Sequence, residues 1–441
     1  MKLWIYRSLR WAYLKYRWVK QSWTALGLGV FVILLVSGFV GIWSAQSMSH
    51  MVFFLALFML AIAWISSRWI QYDYKATRSL PRFGTVGEPL EYLVKFRNLT
   101  SSVQRGLLWK DAVPEDFPRY REFLAFRDRC LDWRDLFLQW PTFVAQRRWA
   151  IAPMQSVPPL APQGKTELKG AITPLRRGAL NLRGITVLCT DPLGLSYQQR
   201  TFEMEQSICI LPRRYQLPDL SLLVSRKNQM GDQVLTDAVG EALEFRSLRD
   251  YRPGDPTNKI HWKSWAKVGR PIVKEQQDES TVRHGLIVDS CPTPDGHALF
   301  EEVLAIATSI LIQDPSQAAL LDVMFMAETV RRVTVGQGLR QRAQILETLA
   351  TLEPSPAHKF EAMLPMVQSR LTRLSGCICV FNQWDSTRED VLKKLAQYQI
   401  PTQVYVLMPV CPLITPDPAW SFYCRIQWLV LGQVQEDLQR I

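Results

Sequence analysis

The stretch Trp23–Trp43, WTALGLGVFVILLVSGFVGIW, holds 21 residues without a charge. As an α-helix it measures about 31 Å, enough to cross a hydrocarbon core of ~30 Å. A second uncharged run extends from Ser44 through Ser67, with its apolar heart at Met51–Ile65 (MVFFLALFMLAIAWI). It reaches spanning length by recruiting Met48–His50 and Ser66–Ser67, so the expected spans are 23–43 and 48–67. Trp23, Trp43, Trp64 and Trp69 lie near the ends of the runs, where amphipathic rings prefer the membrane interface. A cleaved signal peptide has a shorter apolar core, and a second span does not normally follow it. Residues 1–82 therefore read as a transmembrane hairpin with its flanks, and the lipid bilayer is the first expected partner.

The charge around the hairpin agrees. Ten of the 52 basic residues fall in 1–82 (Lys2, Arg7, Arg10, Lys15, Arg17, Lys20, Arg68, Lys75, Arg78, Arg82), against one of the 40 acidic residues, Asp73. This segment carries +9 of the formal +12, and the remaining 359 residues carry only +3. Six of the cations precede the first run, four follow the second, and the link between the runs has none. By the positive-inside rule both ends face the cytoplasm, with the link outside, which predicts a multi-pass cell-membrane protein. The nearly neutral body argues against a nucleic-acid partner, whose binding rests on clustered cations. Residues 2–20 interleave aromatics with Lys and Arg, as an interfacial helix on anionic lipid does. Service as the orienting flank of the first span is a sufficient explanation of the same pattern. The eight cysteines (Cys130, Cys189, Cys209, Cys291, Cys377, Cys379, Cys411, Cys424) form no CxxC pair and have no His at metal-site spacing. They read as small buried hydrophobes of a cytoplasmic body.

The chain is long enough for two or three domains beyond such an anchor. After the hairpin the apolar period becomes two: Leu90, Tyr92, Val94 and Phe96 share one face, while Glu91, Lys95 and Arg97 take the other. Further strands are expected from Thr166, over Ala179–Cys189 and over Ser207–Leu211, separated by the turn signals Arg177-Gly178, Arg183-Gly184 and Asp191-Pro192-Leu193-Gly194. The pattern predicts an antiparallel β-sandwich over 83–215. Residues 119–164, rich in Arg and Trp and ending in IAPMQSVPPLAP, read as an insertion, helical and then extended.

The most distinctive stretch is Gly240–Glu275, GEALEFRSLRDYRPGDPTNKIHWKSWAKVGRPIVKE, within a segment 216–283. Glu244–Tyr251 is an expected strand. Pro253-Gly254 makes a turn, Asp255 is a good N-cap, Pro256 suits the first helical position, and Gly269 is a natural stop. The helix between them would set Lys259, Lys263 and Lys267 in one stripe, with Ile260, Trp265, Ala266 and Val268 on a packed side.

This segment resembles the signature of the domain-of-unknown-function family 58. Leu248-Arg249-Asp250-Tyr251, Pro253-Gly254-Asp255, Ile260-His261-Trp262-Lys263, Ala266 and Gly269 match its pattern; Pro256, Asn258 and Lys267 depart from it. Arg176-Arg177-Gly178, Asp191–Leu195 and the hairpin are similar as well. The resemblance implies a membrane-anchored protein with a β-domain and a von Willebrand factor type A-like region. It also implies a MoxR-type AAA+ ATPase and a transglutaminase-like membrane protein as partners encoded nearby. It implies no biochemical activity.

From residue 284 to 441 apolar strands alternate with helices. Gly285–Asp289, Asp322–Met326, Cys377–Phe381, Gln403–Leu407 and Ile426–Leu431 are expected strands; Ala298–Ile312, Leu339–Leu352 and a helix opened by the capping box Ser386–Glu389 are expected helices. This predicts a mostly parallel sheet covered on both faces, giving the chain a mixed α/β plus β fold class. The first strand ends in Asp289-Ser290-Cys291-Pro292-Thr293, where von Willebrand type A domains often hold Mg²⁺ through Asp-x-Ser-x-Ser. Asp289, Thr293 and a distant Asp385 are the candidate ligands of a degenerate site, since Cys291 offers a soft sulfur that a hard cation disfavours.

Walker A, HExxH and GxSxG motifs are absent. The favoured function is a non-enzymatic scaffold or adaptor that binds partners through Arg249, Asp250, Tyr251, Arg252, Asp255, His261, Lys263 and Lys267. A hydrolase of envelope or peptide substrates is the alternative, which would need His261, Asp255 and Asp289 in one pocket or Cys291 paired with His284 or His297. A metal-dependent protein-binding module is the third reading.

Overall fold

The computed structural model describes residues 2–43, 47–69, 73–114, 116–130, 132–218, 243–252, 260–278, 283–291, 296–313, 320–327, 329–336, 338–354, 360–409 and 422–440. The chain divides into two compact units, Met1–Arg213 and Arg214–Ile441.

The first unit begins with helices α1 (Lys2–Ser22), α2 (Ala25–Trp43) and α3 (Ser47–Trp69). α2 and α3 are long and apolar enough to cross a membrane, and only 11% of each apolar window is buried. They pack on one another through small residues, with the Phe53 ring against Gly38 and the His50 ring against Gly41. Most of their large apolar side chains, Phe31, Leu35, Phe39, Phe54 and Phe58 among them, point outward.

Two sheets follow. One has the order β1 (Tyr74–Ser79), β3 (Leu90–Asn98), β7 (Lys165–Pro174), β5 (Ala150–Ile151); the other runs β2 (Phe83–Thr85), β9 (Tyr197–Leu211), β8 (Gly178–Thr190), β4 (Leu107–Asp111), β6 (Gln155–Ser156). Their inner faces share one core, in which Tyr92, Val94 and Phe96 of β3 meet Trp109 of β4 and Leu180, Leu182, Ile185 and Val187 of β8. The expected alternation in β3 is present, so a sandwich forms. All its ladders are antiparallel except β2 on β9, which is parallel.

Three sequence expectations need revision here. Arg183-Gly184 is not a turn: β8 and β9 form one long hairpin, and the register shifts between Leu182 and Gly184 as a β-bulge. A Cβ at Gly184 would overlap the Phe202 carbonyl of the facing strand, which explains the glycine. The insertion is helical in α4 (Tyr120–Arg127) and α5 (Trp133–Ala145), but its extended end is sewn into the sandwich, β5 pairing with β7 and β6 with β4. Arg78 is not a free flanking cation. It is buried and paired with Asp111, which also accepts the Tyr92 hydroxyl, while its Nε donates to Gln206 Oε1 at 2.9 Å. This network joins β1 of one sheet to β4 of the other.

The second unit is built on a six-stranded sheet in the order β14 (Val330–Val335), β13 (Leu320–Met326), β12 (Arg283–Val288), β15 (Gly376–Phe381), β16 (Thr402–Met408), β17 (Cys424–Val430). All neighbours are parallel except the edge strand β14, which the sequence reading did not include. Helices α7 (His297–Gln313), α8 (Leu339–Thr351) and α11 (Val434–Gln439) cover one face, and a segment through α9 (Leu364–Gln368) with α10 (Ser386–Gln397) covers the other. Both faces being buried, the strands read as continuous apolar runs. The signature segment forms a two-stranded antiparallel ribbon, β10 (Leu243–Asp250) with β11 (Ile272–Asp278), and a short helix, α6 (Trp262–Val268).

Candidate functional site

In an open parallel sheet the crevice for ligands lies at the carboxyl ends of the strands, where the strand order reverses. Here the chain leaves β12 for β13 on one side and later adds β15 on the other. The reversal sets Asp289, just after β12, beside Asn382, just after β15. Asp289 is wholly buried. Its backbone N–H donates to Val380 O at 2.9 Å, which holds it to the neighbouring strand.

Its carboxylate is already matched. Arg388, from the first turn of α10, donates through Nε to Asp289 Oδ2 at 2.8 Å and through Nη2 to the same oxygen at 2.6 Å. The backbone amides of Cys291 and Asn382 add bonds of 3.2 and 3.4 Å. Arg388 also pairs with Asp385 through Nη1, and its guanidinium lies 4.5 Å from the centre of the Phe360 ring. Burial pushes the Asp289 carboxyl above its ordinary value, while Arg388 and the amides pull the other way. The neighbours are equally engaged: Ser290 Oγ donates to Met326 O at 2.7 Å and accepts from its N–H at 2.8 Å, and Asn382 Nδ2 donates to Cys291 O at 2.5 Å.

Asp289 and Asp385, two expected metal ligands, thus do come together, but around a guanidinium. Asp385 has a second structural duty. It is the N-cap of α10, accepting from the Arg388 amide at 2.9 Å, whereas the sequence reading opened this helix at Ser386. Thr293 lies outside the described residues. Among the described residues, a divalent cation would have to share Asp289 with a buried arginine, beside the soft Cys291 thiol. The described donor set does not fit Mg²⁺. No group of three or more His, Cys, Asp or Glu side chains able to hold a metal occurs among the described residues.

Nucleophilic chemistry at Cys291 has no better footing. Burial, and then the nearby Asp289 charge, push its thiol up to about 12, so it stays protonated at neutral pH. His284 is the second residue of β12 and Cys291 lies beyond the far end of the strand, roughly 20 Å away along the extended chain. His297 is exposed and pairs with Glu301 at 3.3 Å.

The expected binding residues are found around the ribbon. Arg249 Nη1 donates to Asp250 O at 3.2 Å, Asp250 pairs with Arg270 at 3.3 Å, and the Tyr251 amide donates to Pro271 O at 3.0 Å. Arg252 is exposed, and Asp255 and Lys259 lie outside the described residues. His261 rather than Asp255 is the N-cap of the described helix α6; its Nδ1 lies 2.7 Å from Ser264 Oγ. Gly269 closes the helix in the left-handed conformation, as expected. The packed side forms only in part: Ile260, just before α6, is buried, but Ala266 and Val268 are exposed, Val268 by 52%, and Trp262, stacked on Trp265, is 62% exposed. Lys263 and Lys267 therefore stand on an open helix. His261 is engaged with Ser264, and Asp255, the middle member of the expected hydrolase constellation, lies outside the described residues.

A second constellation, missed from sequence, lies at the foot of α2. Thr24 N donates to Leu195 O at 3.1 Å and Thr24 Oγ1 to Gly194 O at 2.6 Å, while Thr24 Oγ1 accepts from the Gly27 amide at 3.0 Å. Asp191 holds the turn from inside, accepting the amides of Leu195 and Ser196 at 3.0 and 2.7 Å. A side chain at Gly27 would overlap the Leu195 carbonyl. The turn between β8 and β9 is thus a socket for the start of α2.

No family model matches the chain, and neither does any curated protein. Among solved structures, the CARDB domain of a Pyrococcus furiosus protein in complex with di-metal ions is similar over 32% of this chain and 89% of its own, at 12% identity and a TM-score of 0.18. A β-glucosidase from Listeria innocua in complex with glucose is similar over 32% of this chain and 16% of its own, at 9% identity and a TM-score of 0.17. Similarity at this level carries no functional argument.

Proposed function

We propose that the chain is a membrane-anchored scaffold or adaptor, with α2 and α3 as a two-span anchor and the body and both chain ends in the cytoplasm. One observation carries the anchor: two adjacent helices, each long enough to span, present an almost wholly apolar outer surface that water does not tolerate. The basic flanks support the orientation. The body then serves as a binding surface. Its sheet crevice is filled by Arg388, whereas the signature helix is open and carries Lys263 and Lys267 beside a stacked tryptophan pair.

The likeness of the signature segment to the domain-of-unknown-function family 58 supports reading the second unit as von Willebrand type A-like. It also makes a MoxR-type AAA+ ATPase the first partner to seek, and a transglutaminase-like membrane protein the second. Mg²⁺ has no part in this reading. The test is co-purification of the detergent-solubilised full chain from its own cells. The ATPase is expected to be retained by the native chain and lost from the Lys263→Glu, Lys267→Glu double variant. Absence of an ATPase from the native preparation would overturn the partner, and equal retention by the variant would overturn the surface.

A further inference from the structure

Helix α1 has two different faces. Leu9 and Tyr13 are buried against Phe123, Leu136, Trp140 and Val144, so the insertion helices α4 and α5 are the seat of α1. The opposite face carries Trp4, Trp11 and Trp18, exposed by 72, 64 and 55%. Residues seven apart drift only ~20° around a helix, so the three rings form one line. At 100° per residue Arg7 and Lys15 lie within about 40° of that line. Lys15 Nζ sits 5.7 and 5.6 Å from the Trp11 and Trp18 rings, and these residues line a groove of about 420 Å³. α1 carries six cations and no acidic residue. α5 repeats the theme, with Leu136, Trp140 and Val144 inward and Trp133, Phe137 and Leu138 outward at 74, 59 and 72% exposure.

A helix with tryptophans and cations on its open face matches the headgroup layer of an anionic bilayer, where rings sit at the interface and Lys or Arg meets phosphate. Continuity fixes the depth. α1 ends at Ser22 and α2 begins at Ala25, so if α2 spans, the C-terminal end of α1 lies at the membrane boundary. We infer that α1 and α5, held together by their shared core, form a platform that lies on the anionic headgroups of the cytoplasmic leaflet. The inference rests on the anchor reading and adds to it a lipid-binding surface and the reason for the insertion.

The test places a photo-crosslinking residue at Trp11, Phe137, Leu35 or Leu93 of the full chain in nanodiscs, of phosphatidylcholine alone or with phosphatidylglycerol. Lipid adducts are read by mass spectrometry. Adducts are expected from Leu35 in both discs and from Trp11 and Phe137 most strongly in anionic discs, with none from Leu93 on the sandwich. Changing Arg7 and Lys15 to Gln should lower the Trp11 adduct roughly fivefold for each cation removed. Lipid adducts from Leu35 without any from Trp11 or Phe137 would overturn the platform and leave the anchor standing. Loss at Leu35 as well would sink the anchor itself. Adducts from Trp11 alone would remove α5 from the platform, and equal yields in the two discs would overturn the selection of anionic lipid.

Discussion

Arg388 has 1% of its surface exposed and meets two carboxylates and the face of Phe360. Replacing it by Ala would leave the Asp289 carboxylate buried without its counter-ion, held only by two backbone amides, and breaking a buried pair on one side costs about 3–5 kcal/mol. Chemical denaturation of the full chain in detergent should show a loss of that size for Arg388→Ala. Added Mg²⁺ should leave the melting temperature of the native chain unchanged. Asp289 was legible as the residue ending the first strand of the sheet. Arg388 was not, because a capping-box pattern explained it locally while its partner lies 99 residues away. Cys291 gives a pH test. Burial lifts its thiol from an ordinary 9.0 to about 12. Its protonated form therefore supports the fold fully below pH 9, and that support is lost as the pH rises through 12. Alkylation of Cys291 in the native chain, followed by peptide mapping, should be negligible at pH 8 and rise only in strong alkali.

Elements were legible where apolar period and caps agreed. The β3 alternation, the apolar strands of the parallel sheet and the Gly269 stop all follow from local chemistry. Three elements were not. β14 mixes Arg331 and Arg332 into a partly buried edge, which breaks the apolar run of its neighbours. β5 and β6 are two residues each, too short for any period, and form only because longer partners present free edges. The Arg183-Gly184 pair signals a turn by composition, yet the long β8–β9 hairpin absorbs it as a bulge. Gly184→Val should drive a side chain into the Phe202 carbonyl and cost about 1–3 kcal/mol, as overpacking does, read from thermal unfolding of the full chain. Deleting 119–164 would strip an edge strand from each sheet, leaving β7 and β4 open to pairing with other chains. The expected readout is a shift from a single species to aggregates in size-exclusion chromatography.

Across the whole molecule the excess of positive charge near the N-terminus has more than one structural role. Arg78 belongs to a buried network between sheets, and Arg10 rests over the Phe117 ring at 5.1 Å. The candidate spans were legible because length and absence of charge suffice to mark them. Their attachment was not, because Thr24 and its turn are 170 residues apart. Gly27→Leu should lever the turn off the foot of α2. Limited proteolysis is expected to cut the variant within 191–196 at a protease level that spares the native chain.

That attachment also has a history in time. A ribosome adding 5–20 residues per second reaches Leu195 about 10–30 s after it has made Thr24. The hairpin is thus synthesised, and free to enter a bilayer, well before its socket exists. The last long hairpin of the sandwich therefore closes upon a helix made well before it, so α2 is available as a template for that hairpin rather than being a tail added to a finished domain.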